Sequence, residues 1–392
     1  MIPRRLNSLK TQSFFLFGAR GVGKSTYIRT QFVDELPARQ KSALVTFNLL
    51  ESQVFNRYFQ NPDLLTADLR ALKIRPSWVI IDEIQKIPKI LDIVHKLIEE
   101  DDLKFVLTGS SARKLKRGAA NLLAGRAFDY KLHPFVHLEL PDQFNLEMIL
   151  NWGSLPKIIS LDPASRIEFL RAYALTYLKE EILEELLVRN HFAFRSFLKV
   201  AGQENGKLLN FNKLSRDLNI DSKTVESYFQ ILEDTLVGFF LPAYHNSIRK
   251  SVGQKPKFYI FDLGVKKALD ETLDVPIKPM TSAYGHAFEH FVICEVFRLN
   301  TYARQHYSMF QYHTSAGGEI DLVLTKARQV IAIEIKSSMQ VDLIEVAKLE
   351  RAAEGIKASK IIFLSQDPVG TRIGSVRCLH WKEFFAEFFA KP

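Results

Sequence analysis

The sequence predicts an α/β chain in several abutted parts. A parallel-sheet core comes first, then a helical middle with a winged helix-turn-helix, then a second α/β domain. Three observations predict this. Over roughly residues 1–140, short apolar runs alternate with helical stretches, the pattern of buried parallel strands joined by helices. From Leu146 to about Phe240 the period turns helical. From about Ala283 a helix is again followed by strands. A chain of 392 residues has room for roughly two to four ordinary domains.

Taken in order, the first strands are expected at 14–17, 43–47, 78–81 and 104–107, with a helix over 87–99. Asp162-Pro163 reads as a helix start, and 164–188 as one long or two shorter helices. Residues 207–241 hold two short helices and an apolar tail. Strands follow at 319–324 and 330–335, a helix at 345–354 and a strand at 360–364. The expected domains are a parallel-sheet core at 1–140, a helical lid at 141–200, a winged helix-turn-helix at 201–245 and a second α/β domain at 246–392.

Hydrophobic residues make up 47% and charged residues 25%, which excludes a disordered or collagen-like chain. With 30 Phe against 12 Tyr and 3 Trp, the cores are expected to be Phe-rich. Fifty-three basic residues against 44 acidic ones leave +9, a balance that favours an anionic partner such as nucleic acid. Two cysteines, Cys294 and Cys378, exclude a disulfide scaffold and a cysteine-rich zinc module. Arg4, Arg5 and Lys10 are not followed by an apolar run of signal-peptide length. No stretch approaches the ~18–20 apolar residues of a spanning helix. A cytoplasmic protein without membrane insertion is expected.

The segment Gly18-Ala19-Arg20-Gly21-Val22-Gly23-Lys24-Ser25, with Thr26 next, fits G-x-x-x-x-G-K-[ST] without a mismatch. It follows an apolar strand and precedes a plausible helix, the context a phosphate-binding loop requires. The glycines let backbone N–H groups wrap phosphates, Lys24 reaches the β- and γ-phosphates of ATP, and Ser25 ligates Mg²⁺. A second apolar strand ends in Asp82-Glu83. Asp82 at the strand tip can hold Mg²⁺, and Glu83 can polarise the attacking water, which favours hydrolysis over simple binding. The next strand ends Thr108-Gly109-Ser110-Ser111. Thr108 and Ser110 are both candidates for sensing the γ-phosphate, and spacing does not choose between them. Arg113, Lys114, Lys116, Arg117 and Arg126 make the following stretch basic. It is either a solvated face or the source of an arginine finger for a neighbour's nucleotide, with Arg126 the first candidate.

Leu214 to Tyr228 has helix-turn-helix grammar, with a turn near Asn219 and a cap at Asp221 or Ser222. Either Ser222, Lys223 and Ser227 face DNA, or the motif only packs domains together. Phe239-Phe240-Leu241 is a candidate wing. Further on, a period of two gathers Asp321, Glu334 and Lys336 on one face of a hairpin. Two carboxylates and a lysine can hold Mg²⁺ and position water for phosphodiester cleavage. Glu289 lies on an apolar helical stripe with Val292, Ile293 and Val296, an odd place for a solvated carboxylate, and is the third candidate ligand. Lys255, Lys257, Lys266, Lys267 and the basic run at 113–117 would supply a positive field for DNA.

Together these residues resemble the prokaryotic AAA+ ATPases that join a P-loop core to a winged helix and a C-terminal PD-(D/E)xK nuclease-like domain. The resemblance runs in order through Gly18–Ser25, Asp82-Glu83, Thr108–Ser111, Leu123-Ala-Gly-Arg126, Trp152-Gly-Ser-Leu-Pro156, Tyr177–Ile182 and Thr224–Leu232. It continues through Lys257–Gly264, Gly285–Glu289, Gly318-Glu-Ile-Asp321 and Ile333-Glu-Ile-Lys336. Similar proteins tend to carry a second glycine where this chain has Ser154, and a single acidic residue where it has Glu180-Glu181. The resemblance implies ATP hydrolysis with Mg²⁺, ring-type homo-oligomers with a hexamer as the first guess, and action on DNA or in defence or stress. The resulting expectation is an ATP-driven protein acting on branched or broken DNA, with possible Mg²⁺-dependent cleavage. The alternative is a nucleotide-gated module that binds DNA or protein without cutting.

Overall fold

The computed structural model describes residues 2–110, 123, 125–178, 191–245, 254–313 and 318–389. The chain divides into two compact units, Met1–Phe135 with Asp234–Val237, and Val136–Glu233 with Gly238–Pro392.

The first unit is built on five parallel strands. They are β1 (Ser13–Phe17), β2 (Leu44–Asn48), β3 (Trp78–Asp82), β4 (Phe105–Gly109) and β5 (Ala127–Lys131), in the order β2-β3-β4-β1-β5. The apolar runs become strands because their residues are covered: Phe14, Leu16, Val79, Val106 and Leu107 are inaccessible to solvent. β5 escapes the sequence reading, because AFDYK carries no continuous apolar run and is half-exposed for most of its length. A parallel sheet sets its strand tips at one edge, so the ends of β1, β3 and β4 are neighbours there. The helix expected after the glycine loop runs as α-helix over Lys24–Tyr27 and as π-helix over Ile28–Phe32.

The second unit begins with helices. Leu146–Trp152 is capped by Asn145, and Pro163–Ala172 by Asp162 with Pro163 at its first position. The expected run over 164–188 is helical to Leu178, and its remainder lies outside the described residues. The helix-turn-helix forms as read. Helix Phe211–Leu218 ends at Asn219 in the left-handed region (φ 52°), and Asp221 Oδ1 accepts from Thr224 N to cap Ser222–Asp234. Asp221, not Ser222, is therefore the cap. Phe197, Phe229 and Phe258 fill its core, with ring centroids 4.8 and 5.0 Å from Phe229. β6 (Gly238–Leu241) pairs antiparallel with β7 (Lys257–Ile260) where a wing was expected.

Two resemblance motifs meet in this unit. Gly153 has φ +73°, and a Cβ there would sit 2.0 Å from Asp262 Oδ1. A Cβ on Gly264 would sit 2.1 Å from the Trp152 carbonyl oxygen. The inaccessible Asp262 carboxylate accepts from Ser154 N at 2.8 Å and Val265 N at 3.1 Å. Ser154 uses its hydroxyl to accept from Arg298 Nη1 at 3.0 Å.

A mixed sheet completes the unit. β8 (Ser308–His313), β9 (Glu319–Lys326), β10 (Gln329–Ile335), β11 (Lys360–Ser365), β12 (Thr371–Ile373) and β13 (Val376–His380) lie in the order β12-β13-β11-β10-β9-β8. The β9–β10 register pairs Val323 with Ala332 and Leu322 with Ile333, so its continuation sets Asp321 opposite Glu334. The long helix Ser282–Tyr302 carries Glu289 and packs against β10.

Candidate functional site

In the first unit the candidates converge at the tips of β1, β3 and β4. Gly21 and Gly23 have φ of 78° and 94°, values that a side chain resists, so the glycines are what lets the loop turn here. The Arg4 guanidinium donates to the Val22 carbonyl at 2.8 Å and to His133 O, which pins the loop from outside its own sequence. Lys24 is buried and donates to Gly18 O at 2.8 Å and Ala19 O at 3.4 Å. Ser25 and Thr26 are exposed at the start of the helix, as is Arg20 on the loop.

Ser25 Oγ donates to Asp82 Oδ2 at 3.1 Å. Thr108 donates to the other oxygen of Asp82, and its hydroxyl accepts from Glu83 N at 3.3 Å. Glu83 holds a left-handed backbone (φ 60°) at the turn after β3. Gln85 donates both to Glu83 Oε2 and to Ser110 Oγ, the latter at 3.1 Å. Thr108 and Ser110 thus reach the carboxylates by different routes, one through Asp82 and one through Gln85. Gln85 was missed in the sequence. Its signal is the spacing Glu83-Ile-Gln85, which only a tight turn after the strand makes meaningful. Arg126 pairs with Glu99. Ser111, Arg113, Lys114, Lys116 and Arg117 lie outside the described residues.

The second unit holds a separate group in a cavity of about 780 Å³, lined by Lys257, Tyr259, Lys266, Glu289, Asp321 and Lys336 among others. Asp321 Oδ2 accepts from Ile335 N at 2.8 Å. Burial first, then the charges of Glu334 and Glu289, hold the Asp321 carboxyl well above its usual range. Burial likewise raises Glu334, with Lys336 opposing the shift. Glu334 pairs with Lys336 through Oε1, while its Oε2 is buried with no hydrogen-bond partner among the described residues. Glu289 is bonded from another strand: its Oε1 accepts from Tyr259 Oη at 2.6 Å and from Lys257 Nζ at 3.2 Å. As placed, no group of three or more His, Cys, Asp or Glu among the described residues is gathered tightly enough to hold a metal ion.

One expectation needs correcting. Lys257 and Lys267 are not part of an outer positive field. Both are buried, Lys257 between Glu289 and Glu319, and Lys267 donating to Val275 O at 2.8 Å. Burial lowers Lys267 to about 8. Burial works against the charge on Lys257, but Glu289, Asp321 and Glu319 outweigh it and its pKa is raised. Lys266 is drawn to Asp270, and Lys255 is exposed. On the helix-turn-helix, Lys223 and Ser227 are exposed and Ser222 is half-buried.

Comparison with known proteins separates the parts. The sequence profile of the AAA domain family matches residues 10–140. Over this stretch the chain is similar to that family. The parallel order β2-β3-β4-β1-β5 and the loop at the tip of β1 lie within it. Two domains of unknown function match the rest of the chain, DUF8612 over 143–275 and DUF4143 over 284–382. An uncharacterized protein of Haemophilus influenzae is 22% identical over 279 residues, 66% of this chain. That match spans 65% of the relative, slightly less than two thirds of its length. Among solved structures, the Aeropyrum pernix ORC1 protein in complex with DNA is 12% identical with a TM-score of 0.34, over 66% of this chain and 86% of that one. A DNA polymerase III gamma subunit-related protein of Thermotoga maritima is 13% identical with a TM-score of 0.24, over 73% and 94%. At scores this low neither bears on the functional reading. Among the described residues, no helix is long and apolar enough to cross a membrane.

Proposed function

We propose that the chain is an Mg²⁺-dependent ATPase that assembles as a homo-oligomer, a hexamer first, and acts on branched or broken DNA. The observation that carries the ATPase reading is the chain of contacts from Ser25 through Asp82 to Thr108, with Glu83 beside it. Ser25 and Asp82 are the oxygen donors a hard cation takes. Lys24 would bind the β- and γ-phosphates, Glu83 would take the proton of the attacking water, and Thr108 or Ser110 would report the γ-phosphate. Arg126 would act on a neighbour's nucleotide.

The DNA reading is supported by the exposed Lys223 and Ser227 on the second helix of the helix-turn-helix and by the overall charge of +9. Asp321, Glu334 and Glu289 fit a divalent cation in kind. They are oxygen donors, buried at Asp321 and Glu334 and partly buried at Glu289, and Glu334 Oε2 has no hydrogen-bond partner among the described residues. A cation bound there would supply a polarised water for phosphodiester hydrolysis.

A second reading keeps the ATPase and makes the C-terminal part a binding module that does not cut. It is favoured by Lys336 on Glu334 and Lys257 on Glu289 and Glu319, which already offset much of the negative charge. One experiment separates the two. The purified protein is incubated with ATP, Mg²⁺ and a panel of linear, single-stranded and four-way DNAs, scoring turnover, gel shift, strand separation and cleavage. The first reading expects DNA-stimulated turnover, lost in Lys24→Ala, and cleavage lost in Asp321→Ala while its ATPase persists. Turnover indifferent to DNA, without cleavage, favours the second. No DNA binding at low salt sinks the DNA reading.

A further inference from the structure

β7 has two working faces. Its Phe258 points into the helix-turn-helix core, with ring centroids 5.0 Å from Phe229 and 5.1 Å from Phe240. Lys257 and Tyr259 flank Phe258 and leave the opposite face, as a strand's period of two requires. Both reach the same oxygen, Glu289 Oε1. Lys257 also meets Glu319 Oε1 at 3.2 Å, and its side chain is 6% exposed. The two carboxylates therefore differ. Glu289, which lines the cavity, has its Oε1 satisfied by β7, whereas Glu334, 7% exposed, has no hydrogen-bond partner for Oε2 among the described residues.

An ammonium group fixed among carboxylates is a monovalent cation that the chain itself supplies. A divalent cation entering between Glu289, Asp321 and Glu334 shares the Glu289 carboxylate whose Oε1 Lys257 and Tyr259 hold, and it meets the lysine's like charge. We propose that Lys257, with Tyr259, is a positioning residue that withholds Glu289 from the carboxylate pair Asp321 and Glu334 and so sets how tightly that site binds a divalent cation. This rests on the metal reading of Asp321 and Glu334 given above. Lys257 comes from β7, outside the helix and hairpin that carry the three carboxylates, and no sequence spacing connects it to them.

The test is a direct Mn²⁺ titration of the full chain without nucleotide, reading free Mn²⁺ by electron paramagnetic resonance. Asp321→Asn identifies which bound ion belongs to the cluster. The expected result is an Asp321-dependent site whose affinity rises on the order of tenfold in Lys257→Met, rises less in Tyr259→Phe and is unchanged in Lys257→Arg. A packing defect would weaken binding instead, so the direction of change separates the two roles. An Asp321-dependent site that appears only in Lys257→Met also supports the proposal. Equal or weaker binding in Lys257→Met and Tyr259→Phe overturns the role of Lys257 and leaves the metal reading standing. No Asp321-dependent site in any variant overturns the metal reading and this proposal with it. Circular dichroism checks each fold, and if Lys257→Met is unfolded, Tyr259→Phe and Lys257→Gln decide by the same criteria.

Discussion

Ser25 and Asp82 stand 57 positions apart in the chain and meet side chain to side chain at 3.1 Å. One hydroxyl and one carboxylate, from the loop and from β3, thus arrive preassembled where a nucleotide's cation would sit. Asp82→Asn keeps the shape and removes the charge. Fluorescent ATP analogue binding should weaken on the order of tenfold or more with Mg²⁺ present and change little in EDTA. A loss of the same size in both conditions would mean that Asp82 serves the loop rather than the cation.

Glu83 occupies a left-handed backbone, φ 60°. A non-glycine residue there costs on the order of 1–3 kcal/mol, which surrounding structure must offset. Glu83→Gly should therefore leave the melting temperature level or raise it, while turnover collapses. Glu83→Gln should bind ATP and hydrolyse it slowly, because it removes the base and keeps the amide contact with Thr108. Wild-type turnover in Glu83→Gln would take this carboxylate out of the chemistry.

Arg126 pairs with Glu99 inside its own unit. If its guanidinium serves a neighbour's nucleotide, Arg126→Ala should cut turnover with ATP affinity nearly intact, and Glu99→Gln should spare turnover or raise it. Light scattering with a non-hydrolysable ATP analogue should show assembly. A monomer at micromolar concentration would rule out the ring.

His290 is inaccessible, with Nε2–H donating to Ile260 O at 2.6 Å and Nδ1 accepting from Asn205 at 3.2 Å. Burial, with Lys266 and Arg298 nearby, lowers its pKa to about 3. A folded pKa below the unfolded one gives stability that is present above about 6.5 and lost as pH falls toward 3. Asp321 and Glu334, raised, act in the opposite sense: their contribution is present below the unfolded carboxylate range and lost as pH rises. Melting curves from pH 7 to pH 4 should fall less steeply in His290→Gln than in wild type, from a lower starting point. Equal slopes would exclude His290 as the responsible group.

Much of this was legible because it is local. The glycine loop declares itself in eight consecutive residues, and the hairpin's period of two places Asp321 opposite Glu334 without any tertiary knowledge. What stayed hidden depends on long-range contacts. Arg4 grips Val22, Gln85 links Glu83 to Ser110, and Lys257 crosses to Glu289. Lysines at 257 and 267 read as solvated because charge is usually on the surface, and only the packing of β7 and of helix Leu263–Leu269 shows them buried.

The meeting of Gly153, Asp262 and Gly264 has a consequence for how this chain can change over generations. A side chain at either glycine collides with a partner that is itself fixed, and shortening Asp262 orphans the amides of Ser154 and Val265. No single step leads away from the arrangement without passing through a damaged intermediate. The two segments are bound to one history, inherited together or replaced together, so a chimera that takes one from a distant relative must take the other from the same parent.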